Sequence, residues 1–150
     1  MYTRQEAQKQ RQAFWTTFGQ YMQPILSADG EKINWVNYKT GIPGIHFKMD
    51  TDTEQASIGI IFSHSDSDLR SSYYDQLLRL KAVLIEATSE QWEWYPDAQD
   101  EYGKHISKVG IELSNVNVLR KEDWPQIISF FKQRMVALDA FWSVAKYGFQ

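Results

Sequence analysis

The stretch Trp124–Ala145, WPQIISFFKQRMVALDAFWSVA, decides how this chain folds. Trp124, Ile127, Ile128, Phe131, Met135, Leu138, Phe141, Trp142 and Ala145 recur at steps of three and four, which places them on one stripe of a long helix. Lys132, Gln133, Arg134 and Asp139 are expected largely on the opposite side. A stripe this wide and aromatic must be buried, either against the rest of its own domain or against a second copy.

Working outward from that helix, Val109, Ile111 and Leu113 alternate with Lys108, Gly110, Glu112 and Ser114, and Trp92 and Trp94 alternate with Glu93 and Tyr95. Both runs have the period of two that marks a half-buried strand, and a polar connection over residues 96–105 joins them. Further upstream, Tyr73, Leu77, Leu80, Leu84 and Ala87 form a second helical stripe beginning after the Ser/Asp cluster at 65–68. Before it, Ile45, Phe47 and Met49 alternate with His46, Lys48 and Asp50, and Ile58, Ile60 and Phe62 follow across a short acidic link, so a hairpin is expected. The segment NYKTGIPG at 37–44 reads as an ordered turn leading into the first strand. Thr3 and Glu6 have capping-box spacing, and Ala7, Phe14, Trp15, Phe18, Met22 and Ile25 continue a first amphipathic helix.

The order is therefore α-β-β-α-β-β-α. It predicts one α+β domain over residues 1–150, with a two-layer, mostly antiparallel four-stranded sheet covered on its apolar face by three long helices. With 150 residues, 15% aromatic content and six Trp, the chain can bury a core without covalent staples. It has no Cys, which excludes disulfides and thiolate metal sites. A formal charge of -3 gives no general attraction to phosphate backbones, so nucleic-acid binding is not expected. The polar N-terminal stretch MYTRQEAQKQRQ and the lack of any run of membrane-spanning length point to a cytoplasmic protein with no membrane partner.

Several motifs combine in one order: Phe14-Trp15, NWVNYKTGIPGIHFKMD at 34–50, WEWYPD at 92–97, and the DW of Asp123-Trp124 leading to LDAFW at 138–142. In this the chain resembles family 4268 of the bacterial domains of unknown function, over nearly its whole length. The resemblance implies a domain that occurs alone or behind nuclease-like domains, and it assigns no catalytic residue.

Candidate chemistry is sparse. His64, Asp66 and Asp68 form an H-x-D-x-D arrangement that could hold a divalent cation, but capping of the following helix explains it better. Lys39-Thr40-Gly41 with Gly44 has the wrong order for a phosphate loop and precedes a strand. The polar sheet face is richer, because alternation puts His46, Lys48, Ser57, Glu93, Tyr95, Lys108 and Glu112 on one side. Of these, His46, Lys48, Glu93, Tyr95 and Glu112 are the candidate ligand-binding residues. No strand carries the E-x-K or D-x-K pattern that metal-dependent nucleases use, and neither a metal nor a cofactor is expected.

The preferred expectation is a non-catalytic interaction domain that self-associates through its aromatic helices or binds a protein partner. The alternatives are a nucleic-acid-binding accessory or degenerate nuclease-like domain of a restriction or defence system, and a small polar-ligand-binding domain or enzyme using the polar sheet face.

Overall fold

The computed structural model describes residues 2–150. Thr3 starts the first helix as expected: its Oγ1 accepts the Glu6 backbone N–H at 3.1 Å, and α1 runs over Arg4–Met22. Strands β1 (Ile45–Thr51) and β2 (Gln55–Phe62) form the first hairpin. Helices α2 (Ser67–Arg79) and α3 (Lys81–Thr88) lead to a second hairpin of β3 (Glu93–Gln99) and β4 (His105–Ser114). The long helix α4 closes the domain over Trp124–Ala145, with Pro125 in its first turn, where a missing N–H costs nothing. The sheet order is β1-β2-β4-β3 and every neighbouring pair is antiparallel. No helix among the described residues is long and apolar enough to cross a membrane.

The core lies between one face of this sheet and the helices. Phe47, Ile58, Ile60, Phe62 and Val109 face Phe14, Phe18, Leu77, Phe131, Met135, Leu138 and Trp142 in one buried cluster. Phe131 lies at its centre, 5.7 Å from the Phe18 ring and 5.6 Å from the stacked Trp15 ring. Edge-to-face and offset-stacked rings at these separations add to simple area burial. The aromatic stripes of α1 and α4 therefore close on one another within the domain.

Three details differ from the pattern of the sequence. The expected second long helix is two helices, because at Leu80 the backbone takes φ -97° and ψ 12° and its N–H turns back to Leu77 O at 2.8 Å. A three-residue closure of this kind interrupts the α ladder without any Gly or Pro to announce it. Strand β3 runs through Pro96 to Gln99, so the connection is confined to residues 100–104. Pro96 is accommodated because β3 is an edge strand with a register shift between Tyr95 and Ala98. Asp139, expected on the outer side of α4, is buried, and it accepts the Ala28 backbone N–H at 2.7 Å and the Tyr38 hydroxyl at 2.6 Å.

The turn at 37–44 is fixed by the same helix. Trp142 Nε1 donates to Thr40 O at 2.7 Å, while Thr40 Oγ1 donates to Ile45 O at 2.7 Å. Gly44 has φ +83°, and a Cβ there would lie 2.4 Å from the His64 ring, so both backbone conformation and space require glycine.

Candidate binding surfaces

The pairing register arranges the outer face of the sheet in three rows. His46, Ile61, Lys108 and Tyr95 form the first row across the four strands. Lys48, Gly59, Gly110 and Glu93 form the second, and Asp50, Ser57 and Glu112 the third. All seven residues assigned to this face from their alternation thus share it. They do not converge, however. His46 and Lys48 stand on the edge strand β1, while Glu93, Tyr95 and Glu112 stand on β3 and β4, and three strand spacings of roughly 4.8 Å separate the two edges.

Each group has its own partners. The Tyr95 hydroxyl donates to Glu93, and this bond, with a little burial and the charges of Glu93 and Glu112, raises the phenol above its ordinary range. His46 Nε2 lies 3.0 Å from Ser63 Oγ, and Lys48 pairs with Glu101 at 3.7 Å. Partial burial, then the positive charges of His64, Lys104 and Lys48, hold the His46 imidazole below its usual value. The neutral ring is favoured there.

The centre of the face is a trough. Gly59 and Gly110 pair directly across β2 and β4, so no Cβ rises between Lys48 and Glu93. The Lys108 side chain lies along this floor: a Cβ on Gly110 would come within 3.0 Å of Lys108 Cε, and one on Gly59 within 3.5 Å. Glycines within strands are suited to such close approach. The β3–β4 turn reaches over the trough, held by Lys104 Nζ donating to Ser63 O at 2.7 Å. The resulting cavity, of about 410 Å³, is bounded by His46, Lys48, Ser57, Lys108, Asp100 and Glu101 among others. That volume is within the range of small-molecule sites. Lys108 and the turn residues Asp100 and Glu101 belong to this site but not to the ligand-binding set expected from sequence. The turn's place over the sheet has no local sequence signal.

The other candidate motifs are structural. Asp66 Oδ1 accepts the Asp68 and Leu69 N–H groups at 2.9 and 3.2 Å, capping α2, and the His64 ring stacks on Tyr73 with centroids 4.8 Å apart. Among the described residues no group of three or more His, Asp or Glu is placed to hold a metal ion. Among further aromatic residues in or beside the loops and strands, Trp35 and Trp92 are buried and Tyr38 and Trp94 pack against the core, while Tyr95 and Tyr102 are exposed.

A second surface, of opposite character, lies on the helix layer. Leu80, Val83 and Ala87 on one side and Ala140, Phe141, Val144 and Ala145 on the other line a groove between α3 and the C-terminal turns of α4. Val83 is 51% exposed and Val144 76%. Gln76 Nε2 donates to Gly148 O at the end of this groove, tying α2 to the segment after α4. Apart from Phe141, which is buried at its floor, this apolar surface is aliphatic. The aromatic side chains of the α1 and α4 stripes are mostly turned inward.

A helix-backed antiparallel sheet with one uncovered polar face and one apolar helix groove defines the molecule as an α+β domain with two separate exposed surfaces. The chain belongs to the family described as Domain of unknown function (DUF4268), whose model matches residues 10–146. No curated protein and no solved structure matches it. Two of the segments that carry the resemblance are in contact here: the 34–50 stretch is bonded to the LDAFW stretch through Tyr38–Asp139 and Thr40–Trp142.

Proposed function

We propose that this domain is a non-catalytic interaction module that pairs with a second copy of itself through the groove between α3 and α4. The observation that carries this reading is the pair of exposed aliphatic ridges, Val83 and Val144, facing a groove floored by Leu80, Phe141 and three alanines. Small residues at such a surface allow two helices to approach closely, and contiguous apolar surface of this kind marks an association site. A standard interface covers roughly 800 Å² per partner. That is about a tenth of the 9083 Å² accessible surface of this chain.

Charge favours a second copy over an unrelated partner. Arg79, the last residue of α2, lines one end of the groove, and Glu86 is exposed towards the far end of α3. A two-fold, antiparallel arrangement sets Arg79 of each copy against Glu86 of the other, which fixes register as well as adding attraction.

Sedimentation velocity on the wild type and on Arg79→Glu, Glu86→Arg and the double variant tests the proposal. The wild type is expected to dimerise, each single reversal to weaken the dimer at least tenfold, and the double exchange to restore it. A monomeric wild type, or single reversals that leave association unchanged, overturns it. The placement of the sheet-face groups supports a non-catalytic role too: His46 stands on β1 and is bonded to Ser63, whereas Glu93 and Glu112 stand on β3 and β4 with Glu93 bonded to Tyr95, so no hydrogen bond among the described residues joins the imidazole to either carboxylate.

A further inference from the structure

We infer that the trough over Gly59 and Gly110 is a binding site for a small oxyanion, a phosphate or carboxylate group held by Lys108 together with His46. This site is on the opposite layer from the proposed dimer groove and does not depend on it.

The argument begins with the floor. Two glycines paired across adjacent strands leave the backbone bare in the middle of an otherwise side-chain-covered face. Lys108, in the neighbouring row, lays its aliphatic stem on that floor, with Cε close above both glycines. It is half-buried, and among the described residues no carboxylate lies within 4 Å of its ammonium group. A charge held at the bottom of a cavity without a counter-ion gains from one delivered by a ligand.

The carboxylates around the trough are already engaged. Glu101 pairs with Lys48, Asp100 Oδ1 accepts the Tyr102 and Lys104 N–H groups at 2.9 Å each, and Asp50 Oδ1 accepts the Thr51 N–H at 2.9 Å. The Lys104 ammonium, by contrast, is bonded only to a carbonyl, Ser63 O. The Lys108 ammonium, which has no carboxylate partner, the His46 imidazole and the Ser57 and Ser63 hydroxyls therefore border the same cavity, and all can donate to oxygen. Positive charge at this end is also felt by His46, whose imidazole is disfavoured from protonating by Lys104 and Lys48 after its burial. An anion entering the cavity relieves that repulsion.

The experiment is a nuclear magnetic resonance titration of the intact chain with inorganic phosphate and, separately, acetate, following the Gly59 and Gly110 amides and the His46 ring. At least one anion is expected to give saturable shifts at these three positions below about 50 mM, weakened at least tenfold by Lys108→Met and kept within about threefold by Lys108→Arg. Saturation by phosphate alone identifies a phosphate group, and saturation by acetate alone a carboxylate. Should Lys108→Met fail to fold, Lys108→Gln removes the same charge with a shorter, polar side chain. Non-saturating shifts with both anions, or binding that loss of the Lys108 charge leaves unchanged, would overturn the inference.

Discussion

The Tyr38 hydroxyl donates to Asp139 at 2.6 Å across 101 positions of sequence, and the same carboxylate accepts the Ala28 N–H. A buried carboxylate with both oxygens satisfied is a firm attachment point for the loop between α1 and β1. Removing one donor leaves a charged acceptor underpaired, at a cost of about 1.5–3 kcal/mol. Tyr38→Phe is expected to lower unfolding free energy in urea by that amount, and a loss below about 0.5 kcal/mol would show that the loop is held by packing alone.

The same bond predicts an alkaline dependence. Burial first, and then the bond to Asp139, raise the Tyr38 phenol well above its ordinary value near 10. The neutral phenol is therefore favoured by folding. Its contribution is complete below about pH 10 and is lost as pH rises beyond it towards the folded-state value. The difference in stability between wild type and Tyr38→Phe should hold constant from pH 7 to 9 and shrink above pH 10. A difference independent of pH through that range contradicts the assignment.

Phe131 is fully buried among Phe14, Trp15, Phe18 and Phe130. Phe131→Ala is expected to cost about 3–5 kcal/mol through lost burial and the cavity left behind. Chemical denaturation measures it directly.

Gly41 and Gly44 separate backbone strain from steric exclusion. Both have positive φ, at +81° and +83°, but a Cβ on Gly41 meets open space, whereas one on Gly44 enters the His64 ring. Gly41→Ala should cost about 1–2 kcal/mol from the left-handed backbone alone. Gly44→Ala should cost clearly more, since His64 must also leave Tyr73 and its bond to Pro43 O. Equal losses would show that the ring moves aside freely.

Much of this architecture is legible in the sequence, because it is written in local periods. The alternation of His46, Lys48 and Glu112 with apolar neighbours gives the outer sheet face, and the three-and-four spacing from Trp124 to Trp142 gives the buried side of α4. Phe130 and Asp139 are buried outside that stripe for reasons of tertiary structure: Arg134 covers the Phe130 ring at 4.2 Å, and Tyr38 reaches Asp139 from a distant loop. The break at Leu80 has no Gly or Pro to mark it. The trough was half visible. Alternation shows Gly59 and Gly110 on a strand face, but only the β2–β4 register places them opposite one another, and only the fold brings residues 100–104 over them.

Purified protein is expected neither to cleave DNA with added magnesium or manganese nor to bind duplex DNA tightly at physiological salt. Among the described residues Glu93 and Glu112 are not joined by a third acidic or imidazole group placed to hold a metal ion, and the formal charge is -3. Contaminating nucleases are common, so cleavage must be tied to the chain. Metal-dependent cleavage abolished by Glu93→Ala or Glu112→Ala in folded protein would make the sheet face an active site.

Amide hydrogen exchange at low and high protein concentration tests the proposed pairing most directly, because it reports where a second copy sits. Self-association through the helix groove predicts that exchange slows with rising concentration in α3 and in the C-terminal turns of α4, around Val83 and Val144, and stays constant across β1 to β4. Protection that appears instead on the sheet, or nowhere at any concentration, would contradict the account.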